Sequence, residues 1–163
     1  MFGGHVYRNT GAAAVLLLTI GLFVLKSTAA PRPGEASDEE AIVSTIEAVF
    51  SATERADFAS LDSLYAGADL TIIEGAGIDR GWTEYRDHHL KPELENFQSL
   101  VYKPYEIEPH VEGELAWAIF RYELKVDLRE RRIDNLGRGT AILEKRNGRW
   151  VVRHMQTASR ARQ

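Results

Sequence analysis

The feature that most constrains the fold is a strict alternation of apolar and charged residues in the second half of the chain. One side of this stretch carries Ala116, Phe120, Tyr122, Leu124, Val126 and Leu128, and the other carries Arg121, Glu123, Lys125 and Asp127. A period of two with one apolar side predicts a β-strand that is half buried against a core.

Further strands surround this one. Residues 101–107 also alternate, and Glu112-Gly113 separates them from the strand just described. Asn147-Gly148 separates residues 139–146 from 149–157, and this dipeptide favours a type I′ hairpin because both turn residues need positive φ. We therefore expect four consecutive antiparallel strands after residue 100.

The first half of the chain is mainly helical in pattern. Ser37 and Glu40 match a capping box at the start of an amphipathic helix over 38–56. A shorter helix is expected over 59–65, a short strand over 70–74, and a third helix from about 83 to 97, strained midway by Pro92. This order fits one α+β domain with helices packed on one face of a curved antiparallel sheet.

The N-terminus has the pattern of a signal peptide. An apolar run of fifteen residues, 11–25, follows a weakly basic segment without acidic residues, and it is shorter than the roughly 20 residues that span a bilayer. We expect a signal peptide over 1–29, cleaved after Ala29, and a linker over 30–37. The alternative is an uncleaved leader, which would then be the protein's membrane contact. Both interpretations predict a periplasmic or secreted protein.

Composition excludes several classes of function. The net charge of −4 argues against nucleic-acid binding, which depends on a concentrated positive field. The sequence contains no cysteine, so disulfides, thiolate metal sites and a cysteine nucleophile are excluded.

The order of motifs resembles the nuclear transport factor 2-like (NTF2-like) superfamily, also called SnoaL-like or ketosteroid isomerase-like. The likeness covers about residues 38–159, with 160–163 as a tail. It is carried by three segments: Asp57-Phe58-Ala59-Ser60-Leu61-Asp62-Ser63-Leu64-Tyr65 after the first helix, residues 84–94, and the closing strand pair 137–145 and 148–155.

The resemblance implies a cone-shaped curved antiparallel sheet, with three helices from the first half of the chain on its concave face. It also implies a pocket for a small-molecule ligand inside the cone, and often a homodimer formed through the sheet. It does not imply one reaction, because fold alone does not determine function. Ketosteroid isomerases use a tyrosine from the first helix, and here that helix has none.

The third helix supplies candidate site residues. At 100° per residue, Trp82, Tyr85 and the leucines that follow form an apolar arc. Arg86, His89 and Glu93 fall inside that arc and need partners or a wet cavity. We therefore expect His89 rather than His88 to point inward, with Trp82, Tyr85 and Arg86 at the pocket.

Two strands complete the predicted site. Trp150, His154 and Gln156 alternate on one face of the last strand, which the tryptophan suggests is the inward face. Glu74 closes the first strand. Glu74, His89 and His154 would then bring one carboxylate and two imidazoles together.

Three interpretations of this set stay open. The residues could line a pocket for a small, partly apolar ligand without any cofactor. They could perform acid–base catalysis, with His89 or His154 as the base and Glu74 orienting it, in an isomerase, dehydratase or hydrolase. They could also bind a divalent metal such as zinc or copper. A different class, a protein-interaction module acting through its sheet face, predicts an empty cone.

Overall fold

A computed structural model describes residues 36–163 of the chain. The expected signal peptide, and all but the last two residues of the linker, lie outside the described residues. Among the helices of that region, none is both long and apolar enough to span a membrane.

The helices begin and end close to where their sequence signals place them. Helix α1 covers Asp38–Glu54, and its capping box is formed, since the Ser37 hydroxyl accepts from the Glu40 amide and the Glu40 carboxylate accepts from the Ser37 amide. Helix α2 covers Phe58–Leu64, with Asp57 as its N-cap. A 3-10 turn, Gly67–Asp69, leads into the sheet.

The third helix is one continuous helical segment built from three pieces. It runs from an α-turn at Trp82–Glu84, through a π-helical segment at Tyr85–Leu90, to an α-helical end at Lys91–Asn96. Pro92 lies two residues after the end of the π segment and has no amide hydrogen to donate to the preceding turn. The irregularity expected at the proline therefore takes the form of a wide helical turn just before it.

The sheet has six strands in the order β2-β1-β6-β5-β4-β3. The strands are β1 Thr71–Glu74, β2 Gly77–Arg80, β3 Ser99–Glu112, β4 Leu115–Asp127, β5 Arg132–Arg146 and β6 Arg149–Ala161. All neighbours pair antiparallel except β1 and β6, which are parallel. The sheet is therefore mixed, which corrects the purely antiparallel expectation.

Two more differences concern the strands. Strand β2 was not predicted from the sequence; it pairs with β1 through a hairpin whose turn residues are Gly75 and Ala76. Strand β6 continues through Ala161, so the predicted tail at 160–163 begins inside it. The Asn147-Gly148 hairpin is confirmed, with φ of 51° and 78° at the two residues.

The core lies between the helices and the inner face of the sheet, the face that packs against them. Ile42, Ile46 and Phe50 of α1 are fully buried. The Phe50 ring packs edge-on against Phe120 of β4 at 5.4 Å between centroids. The apolar side of the alternating stretch is thus the side that faces α1. Together these elements form the α+β cone architecture that the order of motifs predicts.

Candidate functional site

A cavity of about 370 Å³ opens between the third helix and the inner face of the sheet. Its walls are partly apolar, formed by Leu90, Leu94, Phe97, Leu100 and Leu124. Its polar groups are the carboxylates of Glu74 and Glu93, the hydroxyls of Tyr85, Tyr102 and Tyr122, and those of Thr53, Thr157 and Ser159. The volume is within the usual range for small-molecule sites.

The β1–β2 hairpin positions Glu74 at this cavity. Glu74 is the last residue of β1 and is level with Thr157 of β6, so both side chains are on the inner face. Gly75 follows at φ 59°, a left-handed conformation that favours glycine in a two-residue turn. The turn sends β2 back along β1 and places Asp79 near the third helix.

His89 connects the hairpin to the third helix. Its Nδ1 atom lies 2.7 Å from Oδ2 of Asp79. Its Nε2 atom lies 3.4 Å from Oε2 of Glu74 and 3.5 Å from Oε1 of Glu93. The His89 side chain is 26% exposed, whereas that of His88 is 72% exposed. His89 rather than His88 therefore points inward, as the helical arc predicts.

The environment shifts the pKa values of both groups upward. Burial raises the pKa of Glu74, and the nearby charges of Glu93 and Asp79 add to this, while His89 opposes it. For His89, burial acts to lower the pKa, but the hydrogen bond to Asp79 and the surrounding carboxylates outweigh it, so the pKa is raised. Protons are therefore held more tightly at both groups than in water.

Tyrosines complete the polar side of the cavity. The Tyr85 hydroxyl lies 3.5 Å from Oε1 of Glu74, and its ring packs edge-on against His89 at 5.3 Å. Burial, followed by the charge of Glu74, raises the pKa of Tyr85 and of Tyr102 well above their ordinary value. These phenols therefore remain neutral and can act as hydrogen-bond donors.

His154 and Gln156 do not reach the cavity, which corrects their predicted inward placement. Strand β6 contains a bulge: Leu143 is level with Val152 but Ile142 is level with His154, so Arg153 is an extra residue. Trp150 and Val152 face inward before the bulge, and Met155 and Thr157 do so after it. One extra residue moves His154 and Gln156 to the outer face of the sheet, the face opposite the helices.

Three other predicted residues lie away from the cavity lining. Trp82 is buried against Tyr65, and its indole donates to Asp62. Arg86 forms ion pairs with Asp87 and Asp62. The indole of Trp150 donates to Asp38 at 2.9 Å, at the start of α1. Of the nominated ligand-binding residues, Tyr85 alone lines the cavity.

The predicted metal set is not assembled, because His154 lies on the opposite face of the sheet from Glu74 and His89. Within residues 36–163, no group of three or more His, Cys, Asp or Glu side chains is arranged to hold a metal ion.

Asp79, the residue closest to His89, was not predicted as a site residue from the sequence. The only local signal was the pair of glycines flanking Ala76, which favours a turn but does not show which residues the hairpin brings together. Glu93 was marked as needing a partner, and the structure supplies both a partner and a cavity.

Comparisons with known proteins agree with this architecture. The sequence model of the SnoaL-like domain family matches residues 42–159. Among curated proteins, none matches the sequence at a significant level.

Solved structures share the fold. A provisionally assigned ketosteroid isomerase from Shewanella frigidimarina NCIMB 400 is 24% identical, with a TM-score of 0.65 over 72% of this chain and 94% of that one. An NTF2-like superfamily protein from Salmonella enterica serovar Typhimurium LT2 is 20% identical, with a TM-score of 0.69 over 76% and 92%. A provisionally assigned dehydratase of the NTF2-like family from Streptomyces avermitilis is 17% identical, with a TM-score of 0.68 over 77% and 97%.

Proposed function

The chain belongs to the SnoaL-like domain family, within the NTF2-like superfamily, and from this premise we propose that it binds a small, partly apolar ligand in the cavity beside Glu74. Proteins of this superfamily commonly bind small ligands. The observation that carries the proposal is the cavity itself, about 370 Å³ with an apolar wall opposite a polar one. The binding function requires no cofactor.

The arrangement of the walls supports this function. Leu90 is buried, and Leu94, Leu100 and Leu124 are half-buried around the cavity. An apolar ligand body would cover these side chains and gain about 25 cal/mol per Å² of apolar surface removed from water. The carboxylates and phenols then fix its orientation, as a few placed polar groups do in most small-molecule sites.

The test uses 1-naphthalenemethanol as a neutral probe, with binding followed by saturation-transfer NMR. Thr157→Phe puts a large side chain into the cavity and should abolish binding, and Leu94→Trp should reduce it from the opposite wall. Gln156→Phe is the matched control, since the neighbouring residue points to the outer face. Binding that survives both cavity substitutions in folded protein would overturn the proposal.

A second function, acid–base catalysis, is favoured by the contacts of Glu74. Glu74 faces the cavity, and His89, held by Asp79, lies behind it. Glu74 would abstract the proton of a bound carbon acid and become neutral, and a neutral phenol of the cavity, Tyr85 or Tyr102, would donate a hydrogen bond to the enolate oxygen that takes up the negative charge. The charge of His89 behind Glu74 would keep the carboxylate ionised before the transfer. This reverses the expected roles, in which the histidine was the base, and leaves His154 outside the reaction.

Proton exchange on a bound ketone distinguishes the catalyst from the pure binder. In D₂O the protein should accelerate deuterium incorporation into the methyl group of 1-acetonaphthone, and Glu74→Gln should remove the acceleration. Glu95→Gln on the exposed end of the third helix should retain it. If bound ketone exchanges no faster than free ketone, the protein is a binder and not this catalyst.

We also propose that the protein is exported. The support is the apolar run of residues 11–25 followed by small residues. When the full chain is expressed in a Gram-negative host, the soluble periplasmic fraction should contain a protein whose intact mass corresponds to a chain that begins at Ala30. A full-length chain recovered in the membrane fraction would favour the uncleaved leader.

A homodimer through the outer face of the sheet is the proposed assembly. Leu115, Trp117, Ile119 and Ile142 are exposed there by 53%, 42%, 48% and 42%. Neighbouring strands place Trp117 level with Ile142, so these side chains are contiguous. Contiguous exposed apolar side chains of this size commonly mark an interface.

A further inference from the structure

The polar side of the cavity has an unusual charge balance. Glu74 and Glu93 line it, and behind them the imidazole of His89 contacts both of these carboxylates and that of Asp79. Among the described residues that line the cavity, none is lysine or arginine. Even with His89 protonated, the cluster has more negative than positive charge beside an apolar wall.

The contacts of Glu74 show where this charge is left unmatched. Nδ1 of His89 lies 2.7 Å from Oδ2 of Asp79, so a proton on Nδ1 is donated in a hydrogen bond to that carboxylate. The carboxylate of Glu74 has longer contacts, 3.4 Å to Nε2 of His89 and 3.5 Å to the Tyr85 hydroxyl. A well-formed charge-assisted hydrogen bond to a carboxylate measures about 2.7–2.9 Å. Within residues 36–163, Glu74 therefore keeps acceptor capacity directed at the cavity.

Aromatic rings also line the cavity. The rings of Tyr102 and Tyr122 both line the cavity and pack edge-on at 5.3 Å between centroids. Tyr102 also packs on Phe50 at 4.2 Å, so its ring is held in place. Aromatic rings attract cations through their quadrupole, and the neutral phenol oxygens can accept a hydrogen bond from an ammonium group.

We propose that the ligand carries a protonated amine on an apolar body. The ammonium donates to Glu74 and Glu93, and the apolar part lies against Leu90, Leu94 and Leu124. This inference rests on the proposed ligand-binding function and names the ligand class. An anionic ligand is disfavoured because its charge would lie beside two carboxylates.

The test compares three probes that share one naphthyl body and differ in charge. These are 1-naphthylmethylamine, 1-naphthalenemethanol and 1-naphthoate, titrated calorimetrically at pH 7. We expect the amine to bind about tenfold tighter than the alcohol, equivalent to about 1.4 kcal/mol, and the carboxylate to bind weakest. Glu74→Gln and Glu93→Gln should each bring the amine and alcohol affinities closer together.

Glu95→Gln removes the same charge from an exposed position on the same helix and should leave the ratio unchanged. Equal affinities of amine and alcohol in the unmodified protein would overturn the amine proposal while the cavity remains a binding site. If Glu95→Gln lowers the ratio of amine to alcohol affinity as much as Glu74→Gln and Glu93→Gln do, the amine proposal is also overturned. The general negative field of the protein would then explain the preference for the amine. Failure of all three probes to bind would overturn both proposals.

Discussion

Nδ1 of His89 and Oδ2 of Asp79 are 2.7 Å apart, and this contact joins the third helix to the edge of the sheet. Asp79 belongs to β2, the short strand that ends the sheet, and its side chain is 18% exposed. The contact fixes the ring of His89 so that Nε2 points to Glu74 and Glu93. Asp79 is therefore a positioning residue for the cavity carboxylates.

Stability should depend on pH through His89. Its pKa is raised in the folded state above the ordinary 6.5, so folding favours the protonated ring. The stabilising contribution is fully present below about pH 6.5 and is lost as pH rises through the folded pKa. Urea denaturation from pH 5.5 to 9 should show that His89→Gln lowers the free energy of unfolding most at the acidic end.

His88→Gln is the control for this series, because His88 precedes His89 on the same helix and is largely exposed. This substitution should leave the pH dependence of the free energy of unfolding the same as in the unmodified protein. If the free energies of unfolding of the unmodified and His89→Gln proteins differ by the same amount at every pH, His89 is not the group that makes stability depend on pH.

Gly137 should be required for the position of Tyr122. A Cβ atom at residue 137 would lie 2.0 Å from the Cζ atom of Tyr122, so Gly137→Ala must displace a ring that lines the cavity. We expect destabilisation of about 1–3 kcal/mol and weaker binding of 1-naphthalenemethanol. Gly77→Ala, whose Cβ meets its nearest atom at 3.4 Å, should do neither. An unchanged affinity in Gly137→Ala would mean that Tyr122 does not contact the probe.

Ser37→Ala should destabilise the domain by about 1 kcal/mol. The substitution leaves the Glu40 amide without the acceptor that caps α1. Ser44→Ala, at an exposed position within the same helix, should cost nothing, since alanine is the better helix former. Chemical denaturation measures both, and equal effects would argue against a formed cap.

Ile119→Asp should dissociate the proposed dimer. The residue lies in the exposed apolar group on the outer face, and a carboxylate there would be desolvated in the interface. Sedimentation velocity should show a dimer for the unmodified protein and a monomer for Ile119→Asp. Ser44→Asp adds the same charge on α1 and should remain dimeric. A monomeric unmodified protein would reject the interface outright.

Local sequence signals specify most of the fold. The capping box at Ser37 and the turn at Asn147-Gly148 each act within a few residues, and each is formed. The alternation of β4 identifies its buried side for the same reason, since β4 pairs with β5 without any register shift. The parallel β1–β6 pairing depends on contacts distant in sequence, which a local pattern does not encode.

The site was only partly predictable. The helical arc identifies His89 and Glu93 as residues that need partners, because the polarity of a residue conflicts with its position. The inward placement of His154 is wrong because counting by two assumes an uninterrupted strand, and the bulge at Arg153 interrupts it. Asp79 depends on a hairpin that brings two segments together, and only the structure shows where that hairpin lies.

The π-helical segment at Tyr85–Leu90 has a consequence for how this pocket can change by insertion and deletion. A π turn accommodates one residue more than an α turn, so losing a single residue there would convert it to a regular helix without breaking the segment. Each residue of an α-helix turns through about 100°. Such a deletion would leave Glu93 and Leu94 at nearly the same angle relative to Tyr85, and would change which side chains within the segment, His89 among them, face Glu74. One deleted codon would therefore change the contacts of Glu74 while the surrounding scaffold is retained.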